Sequence, residues 1–172
     1  MDSVEETALM PLTTLVLGIG NPILKDDGIG LRVVDRLEDL HNDPNVTFLK
    51  TTLAGLNLLD LLAGFRRAII VDAIQTGGEV GEVYRLSPRD FVVRDRFSHL
   101  HSLDFFQTLS LGRRLTGDIP DEVIIVAIEV KNVSDFGEDL TPEVERAVPA
   151  AVDQVLRELA IGQGDFFRQS DR

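Results

Sequence analysis

The chain of 172 residues has no cysteine, few cationic residues and no long hydrophobic run. The absence of cysteine excludes disulfides, zinc sites built on thiolates and a cysteine nucleophile. There are 17 lysine and arginine residues against 29 aspartate and glutamate residues, a formal net charge of −12. Nucleic acid and anionic membranes are therefore poor partners, because both are bound largely through cationic side chains. A small molecule, a metal ion or a basic protein fits this charge better.

Hydrophobic residues occur only in short runs. The longest, Val123–Ile128, is far shorter than the roughly 20 residues that a membrane helix needs. Met1–Pro11 also lacks the cationic and then apolar order of a signal peptide. Together with the missing cysteines, these features lead us to expect a cytoplasmic protein that does not insert into a membrane.

Strand-like and helix-like segments alternate along the chain. Apolar runs predict strands at 14–17, 46–49, 68–71, 81–86 and 123–128. Apolar residues at helical spacing predict helices at 28–40, 56–62, 102–115 and from Thr141 onward. No helix fits between Asp72 and Val80, so the fourth strand is predicted to be an antiparallel edge strand. The pattern predicts an α/β three-layer sandwich, with a mostly parallel five-stranded sheet and helices on both faces.

The length is that of one domain. We expect residues 1–11 to be a flexible N-terminus, residues 12–161 to form the α/β domain and residues 162–172 to form a C-terminal tail. Sites in such folds lie at the carboxyl ends of the strands, so the loops there are the places to search.

The loop after the first strand reads GIGNPILKDDGIG, from Gly18 to Gly30. It begins like a dinucleotide fingerprint, but Ile23 stands where that motif needs its third glycine. Asp26 and Asp27 follow at the start of the predicted helix. One of them could be a helix N-cap, worth about 1 kcal/mol, but two carboxylates at this edge also suit a ligand site.

Further polar residues are predicted at the same edge. Asp72 ends an apolar strand, where a carboxylate must be hydrogen-bonded or bound to a cation. His99 and His101 precede a predicted helix. An Asp/Asp/His set has the oxygen and imidazole donors that divalent transition metals accept. The non-enzymatic alternative is a receiver-like signalling or metal-sensing module. Lys131 after the fifth strand would suit a receiver, although the long first loop and the extra strand count against it.

The segments that carry these residues resemble the nickel–iron hydrogenase maturation endopeptidase family over most of the chain, from about Leu15 to Ala160. The resemblance rests on four stretches: LVLGIGNPILKDDGIGLRVVDRL, AIIVDAI, SHLHSLDFFQTL and VIIVAIEVKNVSDFGEDLTPEVERAV. It implies a peptidase that removes a C-terminal extension from the hydrogenase large-subunit precursor after nickel insertion. It also implies that the precursor presents the nickel, so that the free enzyme holds no tightly bound metal.

The same resemblance assigns site residues. Asp27, Asp72 and His101 match the family's metal-binding and catalytic positions, with His99 as the alternative histidine. Many members have an aspartate in an Asp-Gly-Gly-Thr-like segment after the second strand, where this chain has Lys50. Lys50 is therefore a candidate substrate contact. The other enzymatic interpretation is a metallohydrolase that holds its own divalent ion.

Overall fold

The structure is a computed structural model that describes residues 13–87, 108–114 and 117–169, with side chains described as far as Ile161. Its strands are β1 (Thr14–Ile19), β2 (Val46–Thr51), β3 (Arg67–Ile74), β4 (Val83–Leu86) and β5 (Glu122–Glu129). They form one sheet in the order β2-β1-β3-β5-β4. All neighbouring pairs are parallel except β4 with β5, which confirms the predicted mixed sheet with an antiparallel edge strand.

Helices cover both faces of the sheet. They are α1 (Ile29–Leu40), α2 (Leu58–Leu62), α3 (residues 108–114) and α4 (Pro142–Gln169), and short 3-10 turns at Lys25–Gly28 and Gly55–Asn57 precede α1 and α2. The backbone of α4 runs into the segment 162–172. Of the helix predicted at 102–115, the part that is described is helical, and the stretch with His99 and His101 lies outside the described residues.

Two hydrophobic cores lie on either side of the sheet because successive strand residues point to opposite faces. In β1, Val16 packs into the core beneath α1 and α4, whereas Leu15 and Leu17 pack into the core beneath α2 and α3. The helical spacing predicted for α1 and α4 places their apolar stripes against the first of these cores. The sheet is thus packed on both faces. Its connecting loops lie at the carboxyl and amino ends of the strands.

The third strand is longer than its apolar run indicated. The predicted strand ended at Asp72, but β3 continues to Ile74, because Ala73 and Ile74 still pair with β5. Pairing with β1, by contrast, stops at Val71, which lies opposite Gly18. Asp72 is therefore held by β5 on one side and is open toward the loop after β1 on the other. No helix of the described residues is long and apolar enough to cross a bilayer.

Candidate active site

The carboxyl ends of β1 and β3 form the point where the chain's connections diverge. From β1 the chain crosses over to β2 on one side, whereas β3 lies on the other side of β1. In open α/β sheets, ligands bind in the crevice at such a point. Asp27 lies in the 3-10 turn that follows β1, and Asp72 lies one residue beyond the last pairing of β1 with β3. Two predicted site residues therefore meet at this crevice.

Glycines bring the Asp27 turn close to the sheet. A Cβ on Gly20 would overlap the carbonyl oxygen of Asp27, and one on Gly18 would overlap that of Gly30. A Cβ on Gly30 would in turn overlap the carbonyl oxygens of β1 and β3. The glycines of GIGNPILKDDGIG are thus needed because the backbones of the loop, α1 and the sheet approach closely. This close approach places the start of α1 beside the crevice.

Asp27 is half-buried and oriented by its own loop. Its Oδ2 accepts a hydrogen bond of 2.7 Å from the backbone amide of Asn21. Among the described residues, no hydrogen bond reaches its second carboxylate oxygen. One oxygen thus fixes the side chain through a contact within its own loop.

Asp72 has a strongly perturbed acidity. Burial raises the pKa of its carboxyl to about 7, the negative charge of Asp27 adds to the rise, and a hydrogen bond from the backbone amide of Ala73, 2.8 Å long, opposes it. The two carboxylates are therefore close enough to repel each other. A cation held between them would relieve both the repulsion and the cost of burying charge.

The raised pKa predicts that Asp72→Asn stabilises the metal-free protein at alkaline pH. Between about pH 4 and pH 7 the folded protein retains a proton that the unfolded chain has released, so stability falls as pH rises, and the penalty is complete above pH 7. Asparagine cannot ionise and keeps the acceptor for Ala73. We expect a gain of about 2–4 kcal/mol in unfolding free energy at pH 8 and almost none at pH 4. Urea unfolding measures both, and equal gains at the two pH values would contradict the prediction.

Asp26, the neighbour of Asp27, has a different task. Its side chain is fully buried and accepts hydrogen bonds from the amide of Asn132 at 3.1 Å, the amide of Thr141 at 2.7 Å and the hydroxyl of Thr141 at 3.0 Å. Neither aspartate caps α1 or the 3-10 turn with its side chain. Asp26 instead ties the turn to both ends of the loop between β5 and α4, and this leaves Asp27 as the carboxylate that faces the crevice.

The loops after β1 and β5 are joined along their length. Leu24 and Gly137 form a parallel bridge, in which the amide of Lys25 donates to Gly137 at 2.8 Å and the amide of Gly137 donates to Ile23 at 3.0 Å. Lys25 takes a left-handed backbone conformation, with φ of 46°, to make this turn. The bridge thus holds the two loops together just before the chain reaches Asp27.

Sequence reasoning missed Glu129, which holds the loop that follows β3. This buried carboxylate accepts hydrogen bonds from the amides of Thr76 and Gly77 at 2.7 and 2.9 Å and from the Thr76 hydroxyl at 2.6 Å. The signal was the same as for Asp72, since Glu129 also ends an apolar strand. Its hydrogen bonds fix the path of the chain beyond Asp72.

Lys50, the other predicted site residue that the structure describes, pairs with side chains of α1 rather than with the aspartates at the crevice. Lys50 is exposed in β2, and its ammonium pairs with Asp35 and, at 3.0 Å, with Glu38, which raise the pKa of the lysine. Its contact with substrate stays a prediction. His101 and its alternative His99 lie outside the described residues. Within the described ranges, no group of three potential metal-ligating side chains comes together.

Comparisons with known proteins agree with this architecture. The family model described as hydrogenase maturation protease matches residues 31–158. A hydrogenase 2 maturation protease of Escherichia coli is 34% identical over 149 residues, which span 84% of this chain and 89% of that protein. A hydrogenase expression/formation protein HupD of Rhodobacter capsulatus is 31% identical over 156 residues, covering 88% of this chain and 73% of the relative.

Solved structures show the same relation. The hydrogenase maturating endopeptidase HybD from E. coli superposes with a TM-score of 0.74 at 32% identity, over 87% of this chain and 93% of that one. The fold and these similarities define a peptide hydrolase, so the signalling alternative is not supported. The chain belongs to the hydrogenase maturation protease family and is an endopeptidase of hydrogenase maturation.

Proposed function

We propose that this endopeptidase removes the C-terminal extension of a nickel–iron hydrogenase large-subunit precursor after nickel has been inserted. We further propose that Asp27, Asp72 and His101 recognise the precursor by contacting its nickel. The observation that carries the proposal is the pair of carboxylates at the crevice between β1 and β3, with mutual repulsion that a cation would relieve. Relatives named as hydrogenase maturation proteases support the substrate class.

The donor set fits a metal that arrives with the substrate. Two carboxylates and one imidazole hold transition ions less selectively than sites rich in nitrogen and sulfur. The pKa of about 7 for Asp72 also means that near neutral pH a proton competes with an added ion for this carboxylate. We therefore expect the purified enzyme to bind added divalent ions weakly and to contain little nickel.

In this scheme the side chains act mainly by position. Asp27, oriented by Asn21, and Asp72, held by β5 and the Ala73 amide, bring the precursor's ion and the adjoining peptide into the crevice. The ion supplies Lewis acidity beside the scissile bond, which would permit attack by water. This agrees with a chain that has no cysteine nucleophile.

The test uses enzyme stripped by a chelator and then freed of the chelator. It is incubated with nickel-loaded precursor and, in parallel, with nickel-free precursor, and the products are read by mass spectrometry. We expect the stripped enzyme to cleave only the nickel-loaded form. If it is inactive on that form and recovers when zinc is added, the chain is instead a metallohydrolase with its own ion.

A further inference from the structure

Exposed apolar side chains are concentrated around the candidate active site. Four of the seven large ones in the described part of the chain lie on loops at the carboxyl edge of the sheet: Ile23 after β1, Leu53 and Leu56 after β2, and Phe136 after β5. The other three lie on helices, at Leu40, Leu111 and Ile161. A single exposed apolar residue is ordinary, but a cluster beside a site indicates an interaction surface.

Ile23 and Phe136 form the most exposed pair of neighbours at this edge. Ile23 precedes Leu24 and Phe136 precedes Gly137, so the bridge between Leu24 and Gly137 places the two apolar residues side by side. The Gly137 amide donates to the Ile23 carbonyl at 3.0 Å. The exposed fractions are 48% for Ile23 and 81% for Phe136. We call this pair the apolar tip.

The apolar tip is held by the same structure that holds Asp27. Asp26 fixes both ends of the loop that carries Phe136, and the side chain of Asn132 bonds with Asp135 at 2.7 Å inside that loop. Ile23 belongs to the loop that leads to Asp27. A tip ordered before binding loses little conformational entropy on docking, which favours affinity.

The charges around the apolar tip select its partner. Exposed Asp135, Glu138 and Asp139 flank Phe136, and Lys25 pairs with Asp135 at 3.8 Å. Arg32 and Arg36 line a groove with Glu138 and Asp139, but Asp35 and Asp39 line it too, so with Lys131 the surroundings of the tip keep an excess of acidic groups. An apolar depression with a basic rim complements this arrangement. A second copy of this chain does not, because a symmetric interface would set two acidic tips against each other between molecules of charge −12.

We propose that the apolar tip is the docking anchor for the folded body of the hydrogenase precursor, which it engages through an apolar depression with a basic rim. The inference rests on the proposed function, since the tip adjoins the crevice in which the precursor's nickel would meet Asp27 and Asp72. On binding, Phe136 becomes buried in the partner and supplies the aromatic anchor typical of such interfaces. The tip thereby supplies affinity for the folded body of the precursor, whereas the carboxylates contact its nickel.

The test compares steady-state cleavage of nickel-loaded precursor by the wild type, Phe136→Ala and Leu40→Ala. Leu40 is a matched control, because it is 67% exposed at the far end of α1, toward the opposite edge of the sheet. We expect Phe136→Ala to raise KM about tenfold with kcat within about twofold of the wild type, and Leu40→Ala to change neither. Circular dichroism and thermal melting check that both variants are folded as the wild type is.

A second measurement separates docking from catalysis. Binding of nickel-free precursor, which the proposed function expects to remain uncleaved, is followed by titration calorimetry with the wild type and with Phe136→Ala, which should bind about tenfold more weakly. Equal KM and equal binding with and without Phe136 would overturn the docking proposal and leave the proposed function intact. Failure of the wild type to cleave the nickel-loaded form would instead overturn the proposed function, while binding that depends on Phe136 would still support docking. A wild-type dimer that Phe136→Ala dissociates would show that a second copy occupies the tip, against the proposal.

Discussion

Asp27→Ala and Asp72→Ala are each expected to slow precursor processing at least about 100-fold while the protein remains folded. Loss of a side chain that merely supports a metal ligand already costs about 10- to 100-fold, and these two residues would contact the ion directly. Neither variant should be unstable, since alanine at either position removes a charge from a repelling pair. The rate of appearance of the shortened large subunit, measured by mass spectrometry, provides the readout.

A matched control is available in Asp60→Ala, which removes an exposed carboxylate from α2 and should process normally. The same assay extends to the histidines, where His101→Ala should match the aspartate variants and His99→Ala should be milder. The reverse ranking would assign the ligand to His99. Normal processing by folded Asp72→Ala would remove Asp72 from the site.

Asp26→Ala is expected to lower the unfolding free energy by about 3–5 kcal/mol. The substitution leaves two partly buried amides and one hydroxyl without their charged acceptor, and each hydrogen bond to a charged group contributes about 1.5–3 kcal/mol. A domain of this size would lose roughly 10 °C or more in melting temperature. Thermal melting and urea unfolding measure the effect, with Asp60→Ala as the exposed control at under about 0.5 kcal/mol.

Asparagine variants distinguish the structural role of Asp26 from the role of Asp27. Asp26→Asn keeps one carbonyl acceptor and should fall between the wild type and Asp26→Ala. Asp27→Asn, by contrast, should leave stability near that of the wild type, because only one amide of its own loop bonds to Asp27. If Asp26→Ala and Asp27→Ala destabilised the protein equally, the division of labour between them would be wrong.

The sequence predicts the sheet well because its strands are short apolar runs between turn residues. The position of the antiparallel strand β4 also follows, since no helix could fit between Asp72 and Val80. The extension of β3 beyond Asp72 could not be predicted, because it depends on pairing with β5 rather than on the local residues. Strand ends are set by their neighbours in the sheet, and those become known only with the fold.

The position of the acidic pair and Asp72 at one edge of the sheet was predictable, but the different roles of Asp26 and Asp27 were not. Asp27 and Asp72 could be placed at the crevice because strand ends of a parallel sheet share an edge. Nothing local separates Asp26 from Asp27, and their different roles arise from Asn132 and Thr141, more than a hundred positions further along the chain. The pairing of Lys50 with Asp35 and Glu38 on α1 likewise could not be predicted, because the strand and the helix come together only in the folded structure.

The contacts of Asp26 also give the enzyme an order of assembly. They join residues separated by 106 and 115 positions, so they can form only after the intervening chain has been made and has closed its loops. A ribosome-bound chain that ends before Asn132 would already possess Asp27 and Asp72, yet the Asp26 side chain beside Asp27 would lack every one of its hydrogen-bond donors. Competence to cut a precursor would thus be acquired late in synthesis, when the start of α4 reaches Asp26.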